Sequence, residues 1–335
     1  MNVIAASPEH PVSPLPAANR DSIILVSATN EQYAMPLAVT LSSLLINLRS
    51  PLPVRIFILN MNLSAEAKHR LTRAIMRKRR NVDLNFTSVN AELLSSYSPI
   101  KHLTLDTLLR LLIPELLSPD IEKALYLDCD LCVLEDIAPL WQFDVTRFPA
   151  YASIDPLVRV VSNEWGLRNY EELGVPGNSP YFNAGVLLMN LRKWREEQIG
   201  RAALEYLKHH QSFFLDQDAI NAVLAGRIGS LPMTWNANVS ALRHYSKWPE
   251  DDLKRAIAPE LHSLRRSPAI CHFVGGGKPW LPGLRIPFLG RWIYYLWLSR
   301  WFNLWEMLLW TAKWSVMSLR VLFKRKVIDP VFGAK

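Results

Sequence analysis

Short apolar runs alternate with amphipathic segments between residues 23 and 89. The runs at Ile23–Ala28, 54–59 and 82–89 are short and rich in β-branched residues, which is typical of strands in a parallel sheet. Residues 35–48 and the segment after Ser64 have apolar positions at helical spacing, and Ser64 is a favourable N-cap. Strands that alternate with helices at this spacing predict a doubly wound α/β domain.

The alternation continues, with longer connections, to about residue 280. Strands are predicted at 150–155, 231–235 and 271–274, a loop and strand together over 181–190, and helices at 103–117, 191–209 and 216–225. Asp216 is expected to cap the last of these helices. The segment 156–180 is interrupted by glycines and prolines and is predicted to be irregular.

One apolar run, from residue 124 to 134, carries two acids in its middle, Asp128 and Asp130. In a continuous strand the two side chains would point to the same face. Two carboxylates on one face repel each other unless a cation lies between them. Magnesium and manganese prefer oxygen ligands and would suit the pair. The alternative is a strand that ends at Asp128 and turns, which needs no metal.

Other polar side chains follow predicted strands, where the carboxyl ends of an open α/β sheet bind ligands. They are Asn30, Asp155, Asn183, His272 and Lys278. His272 could complete a metal site as an imidazole ligand, or it could be a hydrogen-bonded structural residue. The glycines before Lys278 could wrap a diphosphate with their backbone N–H groups, or they could only form a turn.

Together these features indicate a nucleotide-diphosphate substrate, with a metal acting as Lewis acid on the leaving diphosphate. Asn183, Asp216 and Gln217 could hold sugar hydroxyls, although a turn at Asn183 and a helix cap at Asp216 are alternatives. The Lys278 loop lacks the spacing of a P-loop. The loop after the first strand is not Gly-x-Gly-x-x-Gly, which disfavours a nicotinamide cofactor.

Four motifs, in order and at characteristic spacing over residues 22–282, carry a family resemblance. They are Lys123-Ala124-Leu125-Tyr126-Leu127-Asp128-Cys129-Asp130, Tyr181-Phe182-Asn183-Ala184-Gly185-Val186-Leu187-Leu188-Met189-Asn190-Leu191, Leu215-Asp216-Gln217-Asp218 and His272-Phe273-Val274-Gly275-Gly276-Gly277-Lys278-Pro279-Trp280. Together they resemble glycosyltransferase family 8, especially the bacterial lipopolysaccharide galactosyl- and glucosyltransferases. The resemblance implies a GT-A fold, a UDP-sugar donor and transfer of a hexose with retention of anomeric configuration.

The resemblance also implies roles for individual residues. Asp128, Asp130 and His272 would hold manganese, or magnesium in its place. The nucleotide side would be formed by Ala28, Thr29, Asn30, Tyr33 and Arg110, and Gly275 and Lys278 would grip the diphosphate. Residues matched to the donor site also include Cys129, Asn183, Ala184, Asp216 and Gln217, with Gln217 beneath the anomeric carbon. Asp155 would lie toward a saccharide or glycolipid acceptor.

The first loop departs from the family pattern, because members often carry an acid where Asn30 stands in this chain. An amide can still bond the edge of uracil or a ribose hydroxyl. We therefore expect UDP binding to survive this difference.

The C-terminal segment differs in kind from the rest of the chain. Residues 285–326 contain eight Lys and Arg against one acid, which accounts for +7 of the net charge of +8, and six of the twelve tryptophans lie between 292 and 314. No uncharged run approaches the roughly 20 residues of a spanning helix. The pattern favours a helix lying in a membrane interface, and the alternative is a helix packed on the domain or on a second subunit.

These features predict three regions: a disordered lead-in over residues 1–20, a catalytic domain over 21–284, and a helical membrane-associating segment over 285–335. The lead-in lacks the features of a signal peptide, and three cysteines suit a reducing compartment. We therefore expect a cytoplasmic enzyme, and the family resemblance implies that its C-terminal segment attaches it peripherally to the inner membrane. Cys129 and Cys132 are read as core thiols, not as a zinc or redox site.

Two other functions remain as alternatives at this point. A haloacid-dehalogenase-type phosphatase also uses Asp-x-Asp at a strand end, but it wants Thr or Val where Cys132 stands. A peripheral membrane-binding module would explain the basic C-terminal segment but not the polar residues at the sheet edge. The tryptophans and leucines of that segment suit lipid better than a phosphate backbone, so we expect no nucleic-acid partner.

Overall fold

The computed structural model describes residues 22–94, 97, 105–244, 252–282 and 286–323. The predicted lead-in and the basic residues 324–326 lie outside this part of the chain. Ten strands are described: β1 Ile23–Ala28, β2 Val54–Asn60, β3 Val82–Ser88, β4 Lys123–Leu127, β5 Leu131–Val133, β6 Ala150–Ser153, β7 Val186–Asn190, β8 Ile228–Leu231, β9 Ala237–Asn238 and β10 Ile270–His272.

A seven-stranded sheet forms the centre of the molecule, in the order β3-β2-β1-β4-β7-β6-β8. All of its strands are parallel except β7, which runs antiparallel to both β4 and β6. β1 and β4 are buried along their whole length, as expected for central strands covered on both faces. The prediction of a mostly parallel α/β sheet is confirmed.

Helices cover the sheet and connect its strands. The α-helices are α1 Ala34–Asn47, α2 Ala65–Met76, α3 Ile113–Leu116, α4 Ala138–Trp141, α5 Leu191–Glu196, α6 Ile199–His209, α7 Asp216–Val223, α8 Val239–His244, α9 Asp252–Arg266, α10 Leu289–Ser299 and α11 Leu304–Phe323. The described part of the chain also contains 3₁₀ helices at Glu31–Tyr33, Ala91–Leu94, Leu105–Leu112 and Met233–Asn236. Ser64 caps α2 by accepting a hydrogen bond from the Ala67 backbone, as predicted.

A second, three-stranded sheet of order β5-β10-β9 leans against the first. β10 pairs antiparallel with β5, and His272 is opposite Leu131 in the register. This pairing brings the end of β10 beside the residue that follows Asp130. The small sheet therefore carries His272, 142 positions further along the chain, to the two acids.

The prediction of one continuous strand through the two acids is wrong. β4 ends at Leu127 and β5 begins at Leu131, so Asp128 and Asp130 lie in the turn between them. β7 pairs antiparallel with β4, and the Asp128 N–H donates to the Gly185 carbonyl at 2.9 Å. The acids meet because the chain turns at the sheet edge, and strand alternation does not explain their proximity.

Three further predictions are corrected in detail. The helix predicted at 191–209 is two helices, α5 and α6, separated by Gln198 in the left-handed conformation. The strand expected at 231–235 lies earlier, at β8, and is followed by the 3₁₀ turn Met233–Asn236. The described part of the helix expected at 103–117 is mostly 3₁₀, over Leu105–Leu112.

The C-terminal segment divides into two helices with different surroundings. α10 packs on α1, and its Trp292 is completely buried; burying an aromatic side chain of this size contributes roughly 2–3 kcal/mol. α11 instead leaves large apolar side chains exposed, including Trp305 at 75% and Leu309 at 70%. Among the described residues, every helix is too short or too polar to cross a membrane.

Candidate active site

The carboxyl ends of β1 and β4, the start of β7 and the loop after β10 surround a cavity of about 330 Å³. The predicted site residues that line it are Ala28, Thr29, Asn30, Tyr33, Arg110, Asp128, Cys129, Asp130, Asn183, Asp216, Gln217, His272, Gly275 and Lys278. Ala184 and Asp155 do not line it. They contact residues that do, as described below.

Asp128, Asp130 and His272 form a group of possible metal ligands, with one candidate ligand atom from each lying within 4.8 Å of the others. Nε2 of His272 lies 3.4 Å from Oδ1 of Asp130 and 3.9 Å from Oδ2 of Asp128. Two carboxylate oxygens and an imidazole nitrogen at these separations fit a hard or intermediate divalent ion. The residues present therefore suit the metal that the sequence predicts.

The other oxygen of each carboxylate is held by a protein donor. Oδ1 of Asp128 accepts hydrogen bonds from Arg110 and from the Tyr126 hydroxyl, both at 2.8 Å. Oδ2 of Asp130 accepts from the Lys278 ammonium. The remaining oxygens, Oδ2 of Asp128 and Oδ1 of Asp130, therefore face His272. These hydrogen bonds fix the orientation of the two carboxylates before any ligand binds.

A chain of amides fixes the His272 ring. The Gly185 N–H donates to Oδ1 of Asn183 at 3.0 Å, so this atom must be an oxygen. Asn236 donates to the same oxygen through Nδ2, at 2.8 Å, and presents its own Oδ1 to Nδ1 of His272, at 2.9 Å. Nδ1 therefore carries the proton, and Nε2 keeps a lone pair for a metal.

Gly185 is required by the approach of this ring. A Cβ atom at position 185 would lie 2.4 Å from Cε1 of His272, closer than real contacts allow. The glycine of the Asn183-Ala184-Gly185 motif therefore makes room for the predicted metal ligand.

Lys278, at the end of the loop Gly275–Lys278, forms a buried ion pair with Asp130. Burial alone raises the pKa of the Asp130 carboxyl, but the Lys278 ammonium outweighs burial and brings the pKa below its ordinary value. Burial likewise lowers the pKa of Lys278, and Asp130 reverses that effect. Both groups are therefore charged at neutral pH. In the adjoining turn, Gly275 has a φ of +69°, a backbone conformation that favours glycine.

Arg110 lies between two acids. Its guanidinium contacts Asp128 and Asp216, each at 2.8 Å, and stacks over the Tyr126 ring at 4.5 Å. Burial alone lowers the pKa of Arg110, but the two carboxylates outweigh burial and raise it. Burial raises the pKa of Asp216 to about 6, and Arg110 opposes that rise.

Asp216 is the first residue of α7, so the prediction that it caps this helix is wrong. Its carboxylate is used by Arg110 instead. The residue before it, Leu215, has a φ of +46°, which is strained for a side chain other than glycine. This conformation directs Asp216 and Gln217 into the cavity.

The Gln217 amide is held from three sides. Its Oε1 accepts from the Ala184 N–H at 3.1 Å, and its Nε2 donates to Asp155 and to the Tyr181 hydroxyl, each at 3.3 Å. Asp155 also accepts from Asn183 Nδ2 at 2.9 Å. In this structure Asp155 is buried and orients the two amides.

Sequence reasoning missed several residues at the site, among them Tyr126, Asn236 and Asp106. Tyr126 could have been found, because it lies two positions before Asp128 in an apolar strand. Asn236 precedes a two-residue strand and carries no local signal. Asp106 lines the cavity and accepts from Asn30 at 2.9 Å, a contact between residues 76 positions apart.

The three cysteines are free and buried, which agrees with the prediction of core thiols. Burial raises the pKa of the Cys132 thiol to about 12, so it stays protonated and unreactive at neutral pH. The Cys129 thiol donates to the Ala28 carbonyl and joins the ends of β4 and β1.

Comparison with solved structures shows the same fold. The structure of the galactosyltransferase LgtC, in complex with donor and acceptor sugar analogs, matches with a TM-score of 0.66 and 26% identity over 83% of this chain and 95% of that one. The bifunctional glycosyltransferase WbbM matches with a TM-score of 0.74 and 22% identity, over 90% of this chain and 53% of that one. These likenesses confirm the GT-A fold.

Two relatives show the range of sequence similarity. General stress protein A of Bacillus subtilis is 27% identical over 288 residues, covering 84% of this chain and 96% of that protein. The lipopolysaccharide 1,3-galactosyltransferase of Salmonella typhimurium is 28% identical over 197 residues, covering 57% of this chain and 54% of that protein. The phosphatase alternative receives no support from these comparisons.

The family model of glycosyl transferase family 8 matches residues 24–282. This range runs from β1 through the loop after Lys278, and it contains every predicted site residue. The chain therefore belongs to glycosyltransferase family 8.

Proposed function

We propose that this protein transfers a hexose, galactose or glucose, from a UDP-sugar to a saccharide acceptor such as a lipopolysaccharide core, with retention of anomeric configuration. A divalent ion, manganese or magnesium, assists the reaction. The carrying observation is the convergence of Asp128, Asp130 and His272 at the edge of a cavity that also holds Lys278. A metal held there supplies Lewis acidity to the departing diphosphate.

The diphosphate would lie between the acids and the Lys278 loop. The Lys278 ammonium carries the positive charge that a diphosphate needs, and the loop glycines allow its backbone to approach the oxygens closely. The first loop, Ala28 to Tyr33, would hold the uridine. Arg110 joins the two halves of the site, because it contacts Asp128 and Asp216 together.

The donor sugar would lie against Asn183, Asp216 and Gln217, with the acceptor entering past Asp155. Gln217 is a weak nucleophile, and its amide oxygen is already bonded to the Ala184 N–H. This geometry favours attack from the same face as the leaving group. The bond from the anomeric carbon to the diphosphate breaks, the acceptor hydroxyl forms the new bond, and a phosphate oxygen takes the hydroxyl proton.

A donor screen tests this function. UDP release is measured from a panel of UDP-sugars in the presence of manganese and deacylated lipopolysaccharide. We expect release with UDP-galactose or UDP-glucose that depends on the acceptor, together with a product that keeps the anomeric configuration by NMR. Release of phosphate from simple monoesters, without sugar transfer, would contradict the proposal.

We further propose that residues 21–284 are the catalytic domain and that residues 285–335 attach it to the cytoplasmic face of the inner membrane. The exposed apolar side chains of α11 and the net charge of +7 over 285–326 support attachment to a membrane. Burial of apolar side chains in the interface and attraction of basic residues to anionic lipids both strengthen such binding. α11 is anchored to the domain at one end, where Glu306 pairs with Arg70 of α2 at 3.0 Å.

Vesicle flotation tests the attachment. In Leu309→Glu/Leu319→Glu, a charge replaces two exposed leucines of α11, and binding to phosphatidylglycerol-containing vesicles should fall at least about 10-fold. Leu173→Glu alters an exposed leucine in the irregular segment and should bind as the wild type does. Equal flotation of the α11 variant and the wild type would show that α11 does not face the membrane.

A further inference from the structure

The first loop offers an acid that does not serve the cavity. Glu31 follows Asn30, but its carboxylate accepts hydrogen bonds from the backbone N–H and the hydroxyl of Ser64, at 3.1 and 2.9 Å. Glu31 is exposed and reinforces the start of α2. The loop between β1 and α1 therefore directs its only carboxylate away from the cavity.

The Asn30 amide is engaged in holding the loop. Its Oδ1 accepts from the backbone N–H groups of Gln32 and Tyr33, at 3.1 and 3.2 Å, and so caps the 3₁₀ turn Glu31–Tyr33. Its Nδ2 donates to Oδ2 of Asp106 at 2.9 Å. The amide thus fixes the position of a carboxylate that comes from another element.

Asp106 belongs to the 3₁₀ helix Leu105–Leu112, the same helix that carries Arg110. It is 9% exposed and lines the cavity together with Asn30. A carboxylate can accept about four hydrogen bonds, so the contact with Asn30 leaves it able to receive a ligand N–H. The contact with Asn30 places this acceptor beside the first loop, to which the proposed function assigns the uridine.

We infer that Asp106 is a specificity-determining residue, which supplies from the 3₁₀ helix the acceptor that reads the N–H of a uracil base. Uracil carries a hydrogen on N3, whereas cytosine has a lone pair there. A carboxylate accepts the first and repels the second. The inference rests on the proposed function, because it requires a uridine nucleotide in this cavity.

Nucleotide titration calorimetry with manganese tests the inference, with UDP and CDP as probes. The wild type should prefer UDP by at least about 10-fold, and Asp106→Ala should lose 10- to 100-fold in UDP affinity, since a hydrogen bond to a charged group is removed. CDP affinity should not fall, because the repulsion between the carboxylate and the cytosine N3 lone pair is removed at the same time. Asp83→Ala removes the same charge at the amino end of β3 and should behave as the wild type.

A rescue variant separates loss of the acceptor from damage to the fold. In Asn30→Asp/Asp106→Ala the carboxylate moves to position 30, where it can still cap the 3₁₀ turn, and UDP preference should return by at least about 10-fold. If Asp106→Ala does not fold, Asp106→Asn keeps its shape and should lower the ratio of UDP to CDP affinity in the same direction.

The outcomes are distinguishable. UDP binding by Asp106→Ala or Asp106→Asn at the wild-type level would overturn the role of Asp106 and leave the proposed function intact. Equal binding of UDP and CDP by the wild type would do the same. Failure of the wild type to bind any uridine nucleotide would overturn the proposed function and this inference together.

Discussion

The two ends of strand β4 both bury a cation, but in different surroundings. At the carboxyl end, Arg110 is surrounded by the carboxylates of Asp128 and Asp216. At the amino end, Lys123 is completely buried, and its ammonium donates to the backbone carbonyls of Trp141 and Phe143 and lies 4.9 Å from the Trp141 ring. The same strand therefore begins at a cation held by backbone carbonyls, with Asp144 close enough to act on it, and ends at a cation in direct contact with two carboxylates.

Burial alone lowers the pKa of both cations, but the net shifts of the two pKa values are opposite. Burial lowers the pKa of Lys123 to about 8, because the nearby Asp144 carboxylate, the carbonyl dipoles and the ring compensate only part of the lost hydration. At Arg110 two carboxylates outweigh burial and raise the pKa. Charge at the amino end serves the packing of α4 against the sheet. At the carboxyl end, the charge of Arg110 is balanced by the carboxylates of Asp128 and Asp216, which line the cavity.

The largest expected effect is at the carboxyl end, in Asp130→Ala. Sugar transfer should fall by at least about 10²–10³-fold, because a metal ligand worth several kcal/mol of transition-state stabilisation is lost. Steady-state UDP release with manganese measures it, and far-UV circular dichroism checks the fold. Near-normal turnover would remove Asp130 from the metal site.

Arg110→Met should lower both activity and stability. Without the guanidinium, the buried Asp216 and the partly buried Asp128 lose their cation, which costs about 3–5 kcal/mol. Turnover should fall roughly 10²-fold as the two halves of the site lose their common partner. Urea denaturation and UDP release measure the two effects. Arg110→Lys keeps the charge but not the two-pronged geometry, so it should recover stability more than turnover. Full recovery of turnover would show that charge alone suffices.

Asn236→Ala should act through the orientation of His272. The manganese concentration for half-maximal activity should rise about 10- to 100-fold, as for other residues that hold a metal-binding histidine. Turnover at saturating manganese should change much less. A loss of turnover that manganese does not rescue would contradict this role.

The smallest expected effect on activity is at the amino end, in Lys123→Met, which should keep turnover within about 2-fold. Its effect is on the pH dependence of stability. The folded-state pKa of Lys123 is lowered from 10.5 to about 8, so the folded state binds fewer protons than the unfolded state between these values. Wild-type stability should therefore rise relative to Lys123→Met from pH 8 to 10.5, by up to about 3 kcal/mol. Parallel pH profiles in urea denaturation would contradict the assignment.

For the carboxyl end of β4, the sequence predicts which residues meet there better than it predicts how they are arranged. The order of strands, the sheet edge and most cavity residues follow from buried runs and the motifs around Asp128, Asn183 and His272, because short-range patterns determine where strands end. The turn between Asp128 and Asp130 does not follow, since an apolar run fits one strand or two short ones equally well.

Contacts between distant elements are harder to predict. Asn236 reaches His272 only because β9 and β10 pair in the small sheet, and Asp106 reaches Asn30 across 76 positions. The division of residues 289–323 into a packed α10 and an exposed α11 also depends on tertiary packing, because both helices are rich in tryptophan and leucine. Composition alone gave no means to distinguish them.

We propose above all that the charged end of β4 binds a metal and a uridine diphosphate together. Titration calorimetry of UDP into the wild type, with and without manganese, tests this most directly. We predict that manganese strengthens UDP binding on the order of 10- to 100-fold, and that UDP strengthens manganese binding by the same factor. UDP binding of equal strength with and without manganese would contradict the account.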